Sequence, residues 1–335
     1  MNKIALTGIK PTGTPHIGNY LGAILPALEL ARDYRAFYFI ADYHALTTVH
    51  DGETMRDLSY QVAATWLALG LDSDKVTFFR QSDIPEVFEL QWALACFTPK
   101  GLLNRAHAYK ASVDQNRAAE RDDDFGINAG LFNYPVLMAS DILMFNSNVV
   151  PVGLDQKQHI EITRDIAQSF NNTYGDILTV PEGLIQEAVM TIPGIDGRKM
   201  SKNYDNTIPL FLPAKQLRKR VMQVVTDSKT VEEPKDPDTC NVFAIYRCFA
   251  TPEQLQSMRE RYAAGGLGYG TVKQELFELL DARFSDKREK YESLMQDKAL
   301  LDNILLKGAE KARETSSVVL DRVRKAIGMR PKRLA

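Results

Sequence analysis

Two short polar segments, far apart in the chain, carry residue types suited to holding a phosphate chain. In the first, a turn-rich stretch from Gly8 to Pro15 runs into His16-Ile17-Gly18-Asn19, where a helical pattern begins. Peptide N–H groups at a helix start attract phosphate oxygens. Gly18 lets a ligand lie against bare backbone, and His16 and Asn19, one turn apart, point at it. By itself this segment fits equally a helix cap with a partly buried histidine. The second segment, Gly197-Arg198-Lys199-Met200-Ser201-Lys202-Asn203, follows an Ile192-Pro193-Gly194 turn. Two lysines around a small hydroxyl residue form a cationic clip able to neutralise charge developing on a triphosphate. Its plainer alternative is an exposed basic loop. A third constellation lies in the helical stretch from Tyr134 to Asp141. Tyr134, Met138 and Asp141 stand at i, i+4 and i+7 and share one helix face. Aspartate seldom joins a buried face without a partner. One carboxylate in an apolar slot suits a flat apolar ligand with a single N–H or O–H donor, and both indole and phenol qualify.

The elements that must position these groups alternate in the first half of the chain. Strand signals at 4–6, 37–40, 76–79 and 149–152 are separated by helical patterns at 16–31, 54–70, 86–96 and from 155 onward. Such alternation predicts a Rossmann-like, doubly wound parallel sheet, because parallel neighbours need crossover helices. In open α/β sheets ligands bind at the carboxyl ends of the strands, where the polar segments fall. After about residue 205 the strand signals fade, and 214–225, 242–248, 252–262, 272–284, 288–298 and 301–327 all read as helices. The expected division is an α/β domain over 1–205 and an all-helical domain over 206–335. Segments 116–126 and 232–238 read as exposed loops, and no internal repeat is visible. The Gly-rich run Gly265–Gly270 has no strand before it, the wrong context for a dinucleotide fingerprint, and reads as a helix–helix connection. Trp66 and Trp92 read as packing residues on helices.

Length and composition bound the reading. The 335 residues suggest two domains, and 44% hydrophobic with 25% charged residues is ordinary for a globular chain. No apolar run approaches the roughly 18 residues of a membrane span, and the first residues turn polar too soon for a secretory signal. Three widely spaced cysteines, Cys96, Cys240 and Cys248, fit a reducing cytoplasm rather than a disulfide framework or zinc site. His44 and His159 lack a third ligand at metal spacing; His44, following a strand, stands where it can line the site. With 41 basic and 43 acidic residues the net charge of −2 predicts nothing about polyanions. Locally, nine basic residues from Lys307 onward face only Glu310, Glu314 and Asp321, and Lys215 with Arg218-Lys219-Arg220 forms a second cluster. These read as a solvated face or as a polyanion surface.

The pairing of His16-Ile17-Gly18-Asn19 with Lys199-Met200-Ser201-Lys202-Asn203 resembles the HIGH and KMSKS elements of class I aminoacyl-tRNA synthetases. Met138 separates two branches: tyrosyl enzymes have Gln there, tryptophanyl enzymes Met. The resemblance to the tryptophanyl-tRNA synthetase family, bacterial type, extends over nearly the whole chain. It includes Thr7-Gly8-Ile9, Ala41-Asp42-Tyr43-His44-Ala45-Leu46-Thr47 and Val150-Pro151-Val152-Gly153-Leu154-Asp155-Gln156-Lys157-Gln158-His159.

That resemblance implies activation of tryptophan with Mg²⁺-bound ATP, then transfer to a tRNA, by a homodimer with no membrane or DNA partner. It implies that Asp141 accepts the indole N–H, that Gly8, Tyr134, Met138, Val150 and Val152 wall the tryptophan pocket, and that Gln156 lies near the amino group. For ATP it implies Lys10, Pro11 and Thr12 in the turn, and Gly18 and Asn19 at the helix start. It adds Gly153, Leu154 and Asp155 near the ribose, the backbone at Val189 near adenine, and Lys199, Met200, Ser201, Lys202 and Asn203 on the phosphate loop. His16, Asn19, Lys199 and Lys202 become the catalytic candidates, and Lys110 aligns with a phosphate contact. The chain departs at Lys10, where many members have Gln, at His16, where many have Thr, and at Asn203, which replaces a Ser. The rival readings are a tyrosyl-tRNA synthetase, opposed by Met138; a small adenylyltransferase, opposed by the lysine loop; and a non-catalytic tryptophan- or RNA-binding paralogue, opposed by the retained His16, Asn19 and lysines.

Overall fold

The computed structural model describes residues 3–153, 157–185 and 192–329. Five strands, β1 (Ile4–Ile9), β2 (Arg35–Ile40), β3 (Thr77–Arg80), β4 (Val149–Val152) and β5 (Glu182–Ile185), pair in the order β3-β2-β1-β4-β5, every pair parallel. Between them run α1 (Ile17–Asn19), continuing through a π-helical turn at Tyr20–Ile24 into α2 (Leu25–Leu30), then α3 (Asp42–Ala45) and α4 (Gly52–Ala68). Next come α5 (Glu86–Ala95), α6 (Lys100–Leu103), α7 (His107–Ala118), α8 (Ala129–Met144) and α9 (Lys157–Tyr174). After β5 the described elements are helical: α10 (Ala214–Met222), α11 (Asn241–Tyr246), α12 (Pro252–Ala264), α13 (Tyr269–Gln296) and α14 (Lys298–Ala326). The chain builds outward from β1 through β2 to β3, then crosses back to place β4 on the other side. The order therefore reverses between β1 and β4, where an open α/β sheet leaves a crevice.

Side chains alternate across the sheet with period two. Phe37, Phe39 and Phe79 enter one core, with Leu90, Leu94, Ile142, Ile166, Val319 and Val323; Tyr38, Ile40 and Phe78 enter the other, with Trp66, Leu276, Leu280 and Phe284. Both cores contain residues from beyond 205, so the late helices complete the cover of a sheet that the first half cannot bury by itself. α14 lies along the edge strand β3, and this close approach depends on Gly308: a Cβ there would stand 1.7 Å from the Phe78 carbonyl oxygen. A glycine inside a helix costs about 1 kcal/mol relative to alanine, and here it permits backbone-to-backbone packing over the strand edge.

Several elements differ from the sequence expectations. β5 was not expected, since Glu182-Gly183-Leu184-Ile185 has weak strand propensity; pairing along the whole of β4 makes it a strand. The helices expected at 272–284 and 288–298 are one, α13, stitched through its polar middle by the Arg288–Asp281 ion pair at 2.8 Å. The expected loop at 116–126 begins inside α7, and Asn116 is buried, its Nδ2 donating to the carbonyls of Asp123 and Phe125. Within the 232–238 loop Lys235 is also buried, its ammonium donating to the carbonyls of Thr230 and Glu233 at 2.6 and 3.1 Å. Trp66 packs in the core, whereas Trp92 is 74% exposed on α5. Gly265–Gly270 does join two helices, α12 and α13.

Gly308→Ala would force β3 and α14 apart. It is expected to cost about 1–3 kcal/mol of stability and to lower the calorimetric melting temperature, while an unchanged melting curve would show that the contact is loose.

Candidate active site

At the carboxyl ends of β1 and β4 opens a cavity of about 920 Å³. Its walls come from the turn after β1, the start of α1, one face of α8, strand β4 and the segment 199–203. The three constellations read from the sequence therefore meet in one place.

His16 is the N-cap of α1. Its Nδ1 accepts the Gly18 N–H at 3.1 Å, while Asn19 Oδ1 accepts the His16 N–H at 3.1 Å, a reciprocal capping box. With Nδ1 accepting, the ring proton belongs on Nε2, so a neutral His16 offers one N–H donor. Burial, and secondarily the charge of Lys202, lowers its pKa to about 4. His16 thus combines both readings of its segment, cap and cavity wall, and at neutral pH it is a hydrogen-bond donor rather than a cation. The helix start is held from the far side by strand-like pairing with 208–210, through Ile17 N to Ile208 O at 3.0 Å and Leu210 N to Pro15 O at 3.2 Å.

The lysine loop is shaped by a residue that sequence reasoning missed. Asn206, buried, accepts the Ser201 N–H on Oδ1 at 2.7 Å and donates from Nδ2 to Asp196 at 2.7 Å and to the Lys199 carbonyl at 3.1 Å. Gly194 leaves room for it, since a Cβ there would stand 2.3 Å from the amide carbon of Asn206. From this base Met200 turns inward against Gly18, and Lys202 reaches across to donate to the Gly13 carbonyl at 2.7 Å. Burial lowers the pKa of Lys202. Lys199 and Asn203 are exposed and line the cavity with Ser201. The loop is thus closed onto the turn rather than extended into solvent.

Tyr134, Met138 and Asp141 line the cavity together, facing Val150 and Val152 of β4 and Gly8 of β1. Gly8 packs under the tip of the Phe39 ring, which would have to shift to admit a Cβ, since that atom would lie 2.6 Å from it. Tyr134 exchanges a hydrogen bond with His159 Nε2 at 2.8 Å. Asp141 is not a lone acceptor. His44 Nε2 lies 2.9 Å from Oδ2, and Gln81 Nε2 lies 2.9 Å from both oxygens. Burial raises the Asp141 pKa, and the His44 and Gln81 contacts oppose that shift. A carboxylate has about four lone-pair sites, so one further donor can be accepted. Gln81 was not read from the sequence, although it immediately follows β3, the same kind of position that marked His44 after β2.

Lys10 and Thr12 line the cavity, with the Lys10 ammonium 5.3 Å from the Tyr134 ring centroid. Solvent reaches Lys10 through the opening, but the surrounding walls lower its pKa. Gly153 also lines the cavity; Pro11 is buried beside the turn without lining it, and Lys110 is exposed on α7, away from the wall. Leu154, Asp155, Gln156 and Val189 lie outside the described residues. Among the described residues no group of three or more His, Cys, Asp or Glu side chains could hold a metal ion.

The unfolded chain protonates His16 near pH 6.5, whereas the folded protein resists until about pH 4. Stability contributed by this site is therefore present above pH 6.5 and lost as pH falls towards 4. His16→Asn, which keeps a capping side chain, is expected to flatten that part of the melting-temperature profile. An unaltered slope would mean that His16 titrates normally.

The family model described as tRNA synthetases class I (W and Y) matches residues 2–285. The tryptophan–tRNA ligase of Pseudomonas putida is 54% identical over 330 residues, 97% of this chain and 73% of that protein. The crystal structure of tryptophanyl-tRNA synthetase from Campylobacter jejuni complexed with ADP and tryptophan is 45% identical, with a TM-score of 0.89 over 97% of this chain and 100% of that one. Tryptophanyl-tRNA synthetase from Mycoplasma pneumoniae is 30% identical, with a TM-score of 0.81 and full coverage of both chains, 100% each.

Proposed function

The chain belongs to the class I tRNA synthetases of the tryptophan and tyrosine group, and on that footing we propose that it is a tryptophan–tRNA ligase. It activates L-tryptophan with ATP and passes the activated amino acid to tRNA. The observation that carries this reading is the joining, in one cavity, of an apolar slot ending in a carboxylate and a turn closed by a lysine loop. Met138 and relatives named for tryptophan at about half identity favour it over the tyrosyl alternative.

Tryptophan enters indole first, its N–H donating to Asp141 between Tyr134, Met138, Val150 and Val152. ATP lies across the start of α1, its phosphates facing His16 Nε2–H, Asn19, Lys199 and Lys202, with Mg²⁺ arriving on the nucleotide. A tryptophan carboxylate oxygen attacks the α-phosphorus. The bond to the bridging oxygen breaks, and its electron pair leaves on pyrophosphate, giving tryptophanyl-adenylate. A ribose hydroxyl at the tRNA 3′ end then attacks the acyl carbon, its proton is lost and AMP departs. No protein nucleophile is required, because such transfers depend on positioning and charge neutralisation.

The helical half after residue 205 is the tRNA side of the proposal. Its cations divide by what they already hold. Arg324 pairs with Glu89, Arg313 with Glu86, and Arg322 donates to Asn146, so these bind α14 to the first half of the chain. On α10, Lys215 and Lys219 are exposed, with no hydrogen bond or ion pair among the described residues, and they offer phosphate contacts. A homodimer working in the cytoplasm completes the reading; among the described residues no helix is long and apolar enough to cross a membrane.

Exchange of labelled pyrophosphate into ATP should require tryptophan and not proceed with tyrosine; exchange with tyrosine alone would overturn the specificity. Lys202→Met should lower the exchange kcat by roughly 10²-fold while the KM for ATP changes far less, and equal losses in both would remove the lysine from its assigned role. Lys219→Gln should weaken tRNA binding most at low salt and make its log–log salt slope shallower by about one. Filter binding in a salt series reads this, and an unchanged slope would place tRNA elsewhere.

A further inference from the structure

The Asp141 carboxylate is 2% exposed, at the bottom of the slot. Gln81 is 1% exposed and does not line the cavity, yet both ends of its amide are used. Its Oε1 accepts the His44 backbone N–H at 3.4 Å, which leaves Nε2 to face the carboxylate, 2.9 Å from each oxygen. His44 Nε2 approaches Oδ2 at 2.9 Å from α3. Two separate elements, α3 and the turn after β3, therefore converge on the carboxylate that α8 carries.

We infer that Gln81 is a positioning residue for amino-acid recognition: it holds Asp141 ionised and oriented, so that a free lone pair meets the donor of the bound ring. The inference rests on the proposed role of Asp141 as acceptor of the indole N–H. A protonated Asp141 turns one of its two oxygens from acceptor into donor, whereas the anion offers the N–H an acceptor at both, so the slot reads the indole N–H best while the carboxyl is an anion. Burial works against the anion. An imidazole donates from Nε2 only in one tautomer or when protonated, whereas a primary amide donates at every pH and carries no charge of its own. Gln81 thus supports the anion without adding a titration. The titratable groups around the contact are His44 from α3, Tyr134 on α8, His159 from α9 and Lys10 after β1. A proton added to His44 would favour the Asp141 anion, which is opposite in sign to the effect expected on removing Gln81.

The test uses the full chain with Gln81→Leu, Gln81→Glu and Asp141→Ala, each shown to be folded by its melting curve. Pyrophosphate exchange is followed from about pH 6 to about pH 9 with tryptophan and with benzothienylalanine, an isostere bearing sulfur in place of the indole N–H. Gln81→Leu should lower kcat/KM for tryptophan on the order of 10- to 100-fold, the loss deepening as pH falls, with little change for the isostere. Gln81→Glu should show the opposite trend: one shared proton serves at low pH, and activity falls as pH rises and two carboxylates repel. Folded Gln81 variants that keep the parent discrimination and pH profile would overturn the inference while leaving Asp141 in its role. A uniform loss with both substrates at every pH would overturn it too, marking Gln81 as scaffold. If Asp141→Ala still prefers tryptophan to the isostere, the acceptor reading falls and the inference falls with it.

Discussion

β1 pairs in parallel with a strand on each side, and from this constraint the rest of the site follows. A parallel neighbour cannot be reached by a hairpin, so the chain must cross over a face of the sheet each time. Successive crossovers carry it outward to β3 and then back past its own origin to β4. Among the described residues nothing closes the gap between the carboxyl ends of β1 and β4. Into that gap the turn after β1 delivers Lys10, Thr12 and the start of α1, and β4 delivers Val150, Val152 and Gly153. The site exists because the sheet changes direction there.

What fills the gap is graded in polarity. At one end a carboxyl group is buried in an apolar slot, held by side chains from two other elements. At the other end is a cation partly stripped of water, Lys202, tied to the Gly13 carbonyl. Between them His16 is neutral, because burial disfavours its charged form and Lys202 beside it adds to that. Desolvated charges interact strongly, and under the proposed function the tryptophan donor and the ATP phosphates would each take one end of this gradient.

The late helices are part of this design. α13 backs the face that carries α1, with Arg283 donating to the Tyr20 hydroxyl at 2.9 Å, and Asn206 ties the lysine loop to its own base. α14 seals the β3 edge, close to the point where Gln81 leaves the sheet. Stability of the sheet and precision of the site therefore share the same contacts.

Much was legible in the residues themselves. Short apolar, aromatic or β-branched runs marked four of the five strands, and one-turn spacing put Tyr134, Met138 and Asp141 on one face. The glycine, histidine and lysine signatures marked segments that meet at one cavity and, through their pairing, the family. These features are local, set by covalent geometry and side-chain chemistry over a few residues. What the sequence did not reveal is what depends on distant partners. Glu182–Ile185 is a strand only beside β4. Trp92 is exposed because its face of α5 meets no neighbour among the described residues, while Trp66 on a similar helix is buried. Gln81 and Asn206 carry no motif; each matters through hydrogen bonds to groups that folding alone brings within reach. Spacing along the chain determines which face a side chain takes, but only packing of one element on another decides what that face meets.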